Sequence, residues 1–402
     1  MRHPSRARVT GPLAAYSSGF GEELLGQGYT PESAQRQVNL MAHVSRWLES
    51  QGLSASELEP DRVVGFLKAR RAEGYTLELS ERAVRPLLGY LRGLAVVPTP
   101  PGPVPSTAVE RLLAEYRCYL VSERGLAGTS VCAYLRTAML FLSACEQQGG
   151  PDLEHLTAAH VTDFVVKECP RRQVAAAKVL VTGLRSLLRF LFFAGHTPRE
   201  LAPAVPARSG WGQASLPRAL GPEAVTALLA SCDRRTAVGL RDFAVLTVLS
   251  RLGLRAAEAA ALGLGDIDWH HGEIVVRGKG GHRERLPLPS DVGEALVAYL
   301  CEGRPRVEHR AVFVSVHAPV AGLTGAGIAE VVYAACRRAG LPLAGPHRLR
   351  HSAATALLRS GASLAEVGQV LRQARAATAS IYAKVDRVAL RGLAQPWPGC
   401  AP

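Results

Sequence analysis

Apolar residues recur at helical spacing along most of the chain. The pattern is clearest from Tyr134 to Leu142 and from Leu180 to Leu191, where leucine and aromatic residues stand three or four positions apart. Such spacing predicts helices that each bury one face. A break at residues 149–151, Gly-Gly-Pro, separates the two stretches. A bundle of four or five helices is therefore expected here.

Two breaks interrupt the helical pattern. Residues 99–107 contain four prolines, and residues 202–218 are rich in proline, glycine and serine, so no helix is expected to cross either segment. We therefore predict three domains. They are an N-terminal helical domain at 1–100, a second helical domain at 107–200, and a third domain at 215–402 that includes a C-terminal tail.

The first two domains resemble each other, which suggests a duplication. Their matching positions lie 97 to 100 residues apart: Gly28 with Gly125, Ser33 with Ser130, Gly52 with Gly149, Leu58 with Leu156, Val63 with Val161, Phe66 with Phe164, and residues 87–91 with 187–191. Arginines on the outer faces of the second domain are candidates for binding, or equally for ordinary solvated surface: Arg171, Arg172, Arg185 and Arg189.

The third domain has a mixed pattern. Pro222 and Glu223 open a helix, and the apolar run from Asp242 to Leu252 predicts another. Residues 273–277 and 285–288 read as strands around a glycine-rich turn, and the helical pattern returns from Gly325 onward. The predicted fold class is mainly α, with two small helical domains followed by a mostly helical domain with a small β-sheet.

Charge changes this picture. The 402 residues carry a formal charge of +13, which favours a polyanionic partner such as nucleic acid, because each neutralised phosphate releases counterions. The basic N-terminus leads into no apolar segment of signal-peptide length, and no run approaches the roughly 18 apolar residues of a membrane span. We expect a cytoplasmic protein without a membrane partner.

The cysteine pattern predicts neither disulfides nor a metal site. The eight cysteines are scattered, with no C-x-x-C pair and no histidines at zinc spacing, which is typical of reduced thiols in a cytosolic protein. Arginine dominates the basic residues, since only five of the 47 are lysine. Lys279, in the glycine-rich turn, is the only lysine between positions 178 and 384.

Residues near the C-terminus indicate phosphodiester chemistry. His347 and Arg350 are spaced i, i+3, so a helix that starts near Pro346 presents both to one site, and Tyr382 follows Arg350 by 32 positions. Guanidinium groups stabilise the charge that develops on an attacked phosphate. Arg255 and Arg350 are placed for that role, and Glu258, three residues beyond Arg255, is expected to hold the Arg255 guanidinium.

These residues carry a resemblance to a known family. Leu254-Arg255-Ala256-Ala257-Glu258, Gly278-Lys279-Gly280, His347-Arg348-Leu349-Arg350-His351 and Ile381-Tyr382, in this order and at these intervals, closely resemble the tyrosine recombinase (phage integrase) family. The pattern looks most like bacterial Xer-type and transposon-borne integrases, and it covers about residues 107–390. The resemblance implies tandem SAM-like DNA-binding domains before a catalytic domain.

The resemblance also implies roles. Tyr382 would be the nucleophile, forming a 3′-phosphotyrosyl link and freeing a 5′ hydroxyl. This link preserves the bond energy for rejoining, so no ATP is needed, and no metal is needed because the arginines and the lysine supply the charge. Lys279 would protonate the leaving 5′ oxygen, which an arginine cannot do at neutral pH. His347 would assist proton transfer or bind the scissile phosphate, whereas His351 is expected to be structural.

One position departs from the family. In the segment from Val370 to Arg375, Gln373 stands where relatives usually carry histidine or tryptophan. Glutamine still donates a hydrogen bond to a phosphate oxygen, but it carries no positive charge. The departure bears on the rate more than on the type of reaction, and it leaves open a partly decayed enzyme.

The expected function is site-specific recombination or integration of double-stranded DNA, without a cofactor. By resemblance the protein would act as a homotetramer on two DNA sites, with or without a partner recombinase. Residues 386–393 have near-helical apolar spacing and would dock on a neighbouring protomer or, equally, pack in cis. Two alternatives remain: a catalytically weakened DNA-binding relative, and a type IB topoisomerase.

Overall fold

The structure is a computed structural model that describes residues 8–99, 105–146, 153–206, 219–278 and 282–372. The chain divides into two compact units, one formed by Met1–Pro100 with Ser215–Pro402 and the other by Pro101–Ala214. Three large clusters of buried apolar residues lie within residues 13–97, 109–205 and 228–349. The division into three domains stays a prediction.

The N-terminal part of the first unit is helical. Its helices are α1 (Ser17–Gly26), α2 (Pro31–Ser50), α3 (Pro60–Ala72) and α4 (Glu81–Gly93). Helix α2 begins after Thr30, whose hydroxyl accepts a hydrogen bond from the Ser33 amide (3.2 Å), and Pro31 occupies its first turn. Phe20, Met41 and Phe66 are buried in the core that these helices share.

The second unit contains α5 (Ala108–Cys118), α6 (Gly128–Glu146), α7 (Ala158–Glu168) and α8 (Val174–Phe193), and a π-helical stretch, Tyr119–Glu123, follows α5. Helix α8 is apolar over most of its surface and lies against α6. The arginines considered for binding make local contacts. Arg172 pairs with Glu168 (2.5 Å), and Arg185 donates to the carbonyl of Val205 (2.9 Å).

The helices α1–α4 and α5–α8 correspond in order. Val63 and Phe66 on α3 are buried, as are their matches Val161 and Phe164 on α7. Residues 87, 88 and 91 on α4 and residues 187, 188 and 191 on α8 are all buried leucines. The duplication itself stays a prediction, but these five matched apolar pairs are buried in both halves.

The C-terminal part of the first unit is mixed. Its elements are α9 (Pro222–Ala230), α10 (Ala237–Arg251), α11 (Ala256–Ala260), β1 (Ile267–Asp268), β2 (Glu273–Arg277), β3 (Arg283–Pro287), α12 (Ser290–Ala298), α13 (Gly325–Arg338), α14 (Pro346–Arg359) and α15 (Leu364–Val370). Helix α10 is the most buried and contacts α9, α12, α13 and α14. The mainly α fold class with one small sheet is confirmed.

The sheet is antiparallel in the order β1-β2-β3. Strand β2 has the predicted bounds. Strand β3 begins at Arg283, two residues before the predicted start, because the ladder continues through Arg277 paired with Arg283. The side chains in this extension are charged and exposed, so the apolar pattern does not mark it.

Two further observations concern the described ranges. None of their helices combines the length and apolarity that a membrane crossing requires. All seven cysteines that they contain are free thiols.

Candidate active site

Arg255 lies where α11 begins, in the position that caps this short helix. Its side chain donates to Glu258 Oε1, and its backbone amide donates to Glu258 Oε2 (2.9 Å). Glu258 is 4 % exposed, whereas the Arg255 side chain is 43 % exposed. The contact predicted from their spacing is present, and it leaves the Arg255 side chain partly open to solvent.

Gly253 connects α10 to this capping position. Its φ is +59°, a left-handed conformation that glycine adopts without steric cost after a helix end. A Cβ atom here would lie 2.6 Å from Leu371 Cδ2 and 3.5 Å from Ala353 Cβ. The absence of a side chain therefore lets the turn before Arg255 pack tightly against α14 and the end of α15.

Arg350 is the most buried charged residue of the site, at 1 % exposure. It lies on α14, whose first turn contains Pro346 as predicted. Its Nη1 donates to the carbonyl of Gly253 (2.6 Å), and its Nη2 donates to the carbonyl of Leu371. These two acceptors, which are 118 positions apart in sequence, fix the guanidinium beside the turn that carries Arg255.

Two histidines on α14 are neighbours of Arg350. Burial, followed by the charges of Arg350 and Arg255, lowers the pKa of His347 below its ordinary value. Burial, His347 and Arg350 lower the pKa of His351 to about 4. The two rings meet edge to face at 4.4 Å between centroids. Both imidazoles are therefore neutral at pH 7, and a neutral His347 both donates and accepts hydrogen bonds.

Arg372 follows α15 and joins the same cluster. Its side chain is 3 % exposed; Nη2 lies 3.0 Å from Glu258 Oε2, and Nη1 donates to the carbonyl of Val370 (2.9 Å). Burial of Glu258 by itself would raise its pKa, but hydrogen bonds from Arg255 and the charges of Arg372 and Arg255 hold that pKa below its ordinary value. Glu258 is therefore ionised at neutral pH and bonds both arginines.

Among the described residues of the site, Arg255 and Arg372 thus share the carboxylate of Glu258, and Arg350 is held beside them by two backbone carbonyls. Glu284 on β3 adds a weaker attraction to Arg372. A cluster of guanidinium groups beside two neutral histidines favours an anionic ligand, because the charge of the ligand offsets the repulsion among the guanidinium groups. Guanidinium groups are well suited to the non-bridging oxygens of a phosphate, because their N–H groups match its geometry.

The structure brings together four of the predicted site residues: Arg255, Glu258, His347 and Arg350. The other three, Lys279, Gln373 and Tyr382, lie outside the described residues, as do residues 386–393. The catalytic roles of all seven stay predictions.

Two residues of the site were not predicted from the sequence. Gly253 had a usable signal, because a glycine just after the apolar run of α10 is typical of a helix end. Arg372 had none, since nothing in local spacing connects it to Glu258, 114 positions earlier.

Comparison with known proteins identifies the family of this chain. The Phage integrase family model matches residues 218–388. The integrase/recombinase y4rA of Sinorhizobium fredii is 40 % identical over 393 residues, covering 97 % of this chain and 95 % of the relative. Tyrosine recombinase XerD of Mycobacterium tuberculosis is 33 % identical over 72 % of this chain and 97 % of its own length.

Solved structures share the fold. The site-specific recombinase XerH, in a post-cleavage complex with a palindromic difH substrate, superposes with a TM-score of 0.56 at 18 % identity, and 98 % of each chain is covered. Together with the sequence relatives, this establishes the class: the chain belongs to the tyrosine recombinase (phage integrase) family.

Proposed function

We propose that this protein is a site-specific DNA recombinase or integrase that cleaves and rejoins duplex DNA through a 3′-phosphotyrosyl intermediate. The observation that carries the proposal is that Arg255 and Arg372 bond the carboxylate of Glu258, while Arg350 is held beside them by the carbonyls of Gly253 and Leu371. Membership of the tyrosine recombinase family supports the reaction type.

Arg255 and Arg350 form the proposed phosphate clamp. Arg350 is held rigidly by two backbone carbonyls, and Arg255 is held by Glu258 while its side chain stays partly exposed. Preorganised donors of this kind stabilise charge as it develops on an attacked phosphate, because they need no reorganisation during the reaction. A neutral His347 beside them is suited to move a proton or to bond a phosphate oxygen.

The proposed chemical step exchanges one ester for another. The Tyr382 hydroxyl passes its proton to neutral His347 as its oxygen attacks phosphorus, the bond from phosphorus to the 5′ oxygen breaks, and Lys279 donates a proton to that 5′ oxygen. The phosphotyrosine keeps the energy of the broken ester, so the 5′ hydroxyl of another strand reverses the step without ATP. The positive charge comes from arginine and lysine, so the step as written uses no metal ion.

Gln373 is the proposed modulator of this reaction. Its amide offers a hydrogen bond where relatives usually offer histidine, so the transition state loses a positively charged or aromatic neighbour. This substitution favours one second candidate function, a catalytically weakened relative that binds and shapes its DNA site.

The proposed partner is double-stranded DNA, bound by a homotetramer that holds two sites together. The chain's charge of +13 supports a polyanionic partner, and the XerH fold match is to a protein solved on its DNA substrate. Residues 1–100 would extend the grip on DNA or contact a partner recombinase.

The test is the capture of the covalent intermediate. The full-length protein would first be used to enrich a bound duplex from a random-sequence library. That duplex would then be prepared as a series in which a nick lies at successive nucleotide positions. Wild-type protein should form a 3′ adduct on at least one of these duplexes, Tyr382→Phe should form none, and Tyr299→Phe should form it normally. Tyr299 is a suitable control because it is buried and only accepts a hydrogen bond from Val314 (3.3 Å).

Three outcomes separate the alternatives. Wild-type binding without any adduct would contradict the enzyme proposal and favour the weakened relative. Relaxation of supercoiled plasmids that lack the enriched site would favour a topoisomerase. Recombinant products between two sites with inverted half-sites would support the recombinase.

A further inference from the structure

The two residues that follow α15 connect to both arginines of the proposed phosphate clamp. The carbonyl of Leu371 accepts a hydrogen bond from Arg350 Nη2, and the next residue, Arg372, pairs with Glu258 at 3.0 Å. Glu258 in turn bonds the backbone and the side chain of Arg255. Two consecutive residues thus connect to both arginines, one through its backbone and the other through its side chain.

Arg255 and Arg372 share the carboxylate of Glu258. Oε1 accepts from the Arg255 side chain, whereas Oε2 accepts from the Arg255 amide (2.9 Å) and from Arg372 Nη2 (3.0 Å). The position of a carboxylate with three donors depends on each of them. Loss of Arg372 would free Glu258 to rotate, and the Arg255 guanidinium would move with it.

The backbone at Arg372 indicates that arginine is present for its side chain. Its φ is +53°, a left-handed conformation that glycine adopts without cost and arginine does not. A buried ion pair is by itself weak evidence of a gain in stability, because desolvation offsets the attraction. The backbone conformation alone therefore favours glycine at this position. The contacts of the arginine side chain explain why arginine is present instead.

We propose that Arg372 is a positioning residue that fixes Arg255 through their shared partner Glu258. The inference rests on the proposed function, since positioning matters only if Arg255 binds the scissile phosphate. Arg372 immediately precedes Gln373 in sequence, so the residue that aligns Arg255 also begins the segment that leads to Tyr382.

The test compares full-length wild type with Arg372→Gly and Arg372→Lys on the nicked duplex described above. Arg372→Gly should slow adduct formation by about 100-fold, as expected for a small misplacement of a clamp residue, and should leave DNA affinity unchanged. Arg372→Lys should recover at least about tenfold of that loss, because it retains a charge for Glu258 but lacks the planar fork.

A second substrate separates positioning from a general structural role. The same duplex with a methylphosphonate at the scissile position lacks the negative charge that Arg255 neutralises. If Arg372 acts through Arg255, the defect of Arg372→Gly relative to wild type should shrink to a few-fold on this substrate. Equal losses on both substrates would overturn the proposal, as would wild-type rates for Arg372→Gly on the phosphate substrate.

Two safeguards keep the outcomes distinct. If Arg372→Gly fails to fold, Arg372→Lys takes its place. A loss of adduct rate on the phosphate substrate that shrinks on the methylphosphonate substrate would support the proposal. An equal loss on both substrates would contradict it. If wild type itself forms no adduct, the proposed function fails and this inference fails with it. If wild type forms the adduct and the Arg372 variants form it at the same rate, only this inference is contradicted.

Discussion

Two parts of the chain bury an arginine beside a histidine, and they balance their charges differently. In the N-terminal part, Arg70 is 6 % exposed, pairs with Glu78 (3.3 Å) and lies over the ring of Tyr75 at 4.1 Å. It lines a cavity of about 310 Å³ together with His43, Arg46 and Glu73. This region therefore contains two arginines and two carboxylates, of which Arg70 and Glu78 form an ion pair.

In the candidate active site, Arg255 and Arg372 share the carboxylate of Glu258, Arg350 is held beside them by backbone carbonyls, and Glu284 attracts Arg372 more weakly. The histidines do not distinguish the two regions. Burial and then Arg70 and Arg46 lower the pKa of His43, just as burial and arginine lower the pKa of His347.

The difference teaches that a shifted histidine marks burial beside arginine, whereas an excess of arginine marks a site for an anion. The Arg70 region is explained as structure because its charges balance within the fold. In the Arg350 region, Arg255 and Arg372 share one carboxylate, and a bound phosphate would complement this arrangement. The predictions below test this contrast.

The largest effect is expected at Arg350. Arg350→Ala removes a preorganised donor to the proposed phosphate, so adduct formation should fall by about 100-fold to 1,000-fold. Arg359→Ala, on the exposed face of the same helix, is the matched control and should keep the wild-type rate. The measurement is the rate of 3′ adduct formation at saturating protein. An Arg350→Ala rate above a tenth of wild type would contradict the phosphate clamp.

Gly253 should show the next largest effect. In Gly253→Ala the new Cβ would lie 2.6 Å from Leu371 Cδ2 at a φ of +59°. We expect destabilisation of about 2–5 kcal/mol, of which overpacking contributes about 1–3 kcal/mol. Gly340→Ala has a similar φ, +64°, and no atom within 4 Å, so it should cost about 1–2 kcal/mol.

Urea denaturation measures the loss of stability in both variants. The difference between the two losses is the cost of the close contact between the new Cβ at position 253 and Leu371. Equal destabilisation by the two substitutions would show that the turn at Gly253 has room to relax. The adduct rate of Gly253→Ala should also fall, because the carbonyl of Gly253 holds Arg350.

His351 predicts a dependence of stability on pH. Its folded pKa, about 4, lies below the ordinary value of 6.5, so between these values the unfolded chain binds a proton that the folded chain does not. The stability that neutral His351 contributes is complete above pH 6.5 and is lost as pH falls towards 4. His351→Gln should flatten the loss of melting temperature between pH 6.5 and 4.5, and an unchanged slope would contradict the lowered pKa.

How much the sequence predicts depends on the range of the interaction. Helices such as α10 and α14, and strand β2, follow from apolar periodicity and from Pro346 in a first turn, which are local signals. The contact from Arg255 to Glu258 is also local, because the residue that caps a helix lies close to the third residue of that helix.

The rest of the site depends on contacts that no local pattern encodes. Arg350 reaches the carbonyl of Gly253 across 97 positions, and Arg372 reaches Glu258 across 114. The fold likewise determines which buried arginine has its charge balanced by a carboxylate. Glu78 pairs with Arg70 only because the chain turns back after α3. Sequence spacing predicted that Arg255 would contact Glu258, and packing determined that Arg372 shares this carboxylate.

Arg70 should show the smallest effect on cleavage, although it is nearly as buried as Arg350. Arg70→Met keeps the volume of the side chain but removes the pair with Glu78 and the contact with Tyr75, which should cost about 1–2 kcal/mol of stability. Glu78 is 27 % exposed, so water takes over the lost partner. Because no scissile phosphate depends on this charge, the adduct rate should stay within about threefold of wild type, less than 1 kcal/mol of barrier. A tenfold loss of rate with normal folding would mean that the cavity beside Arg70 binds DNA, and charge balance would then fail to separate the two regions.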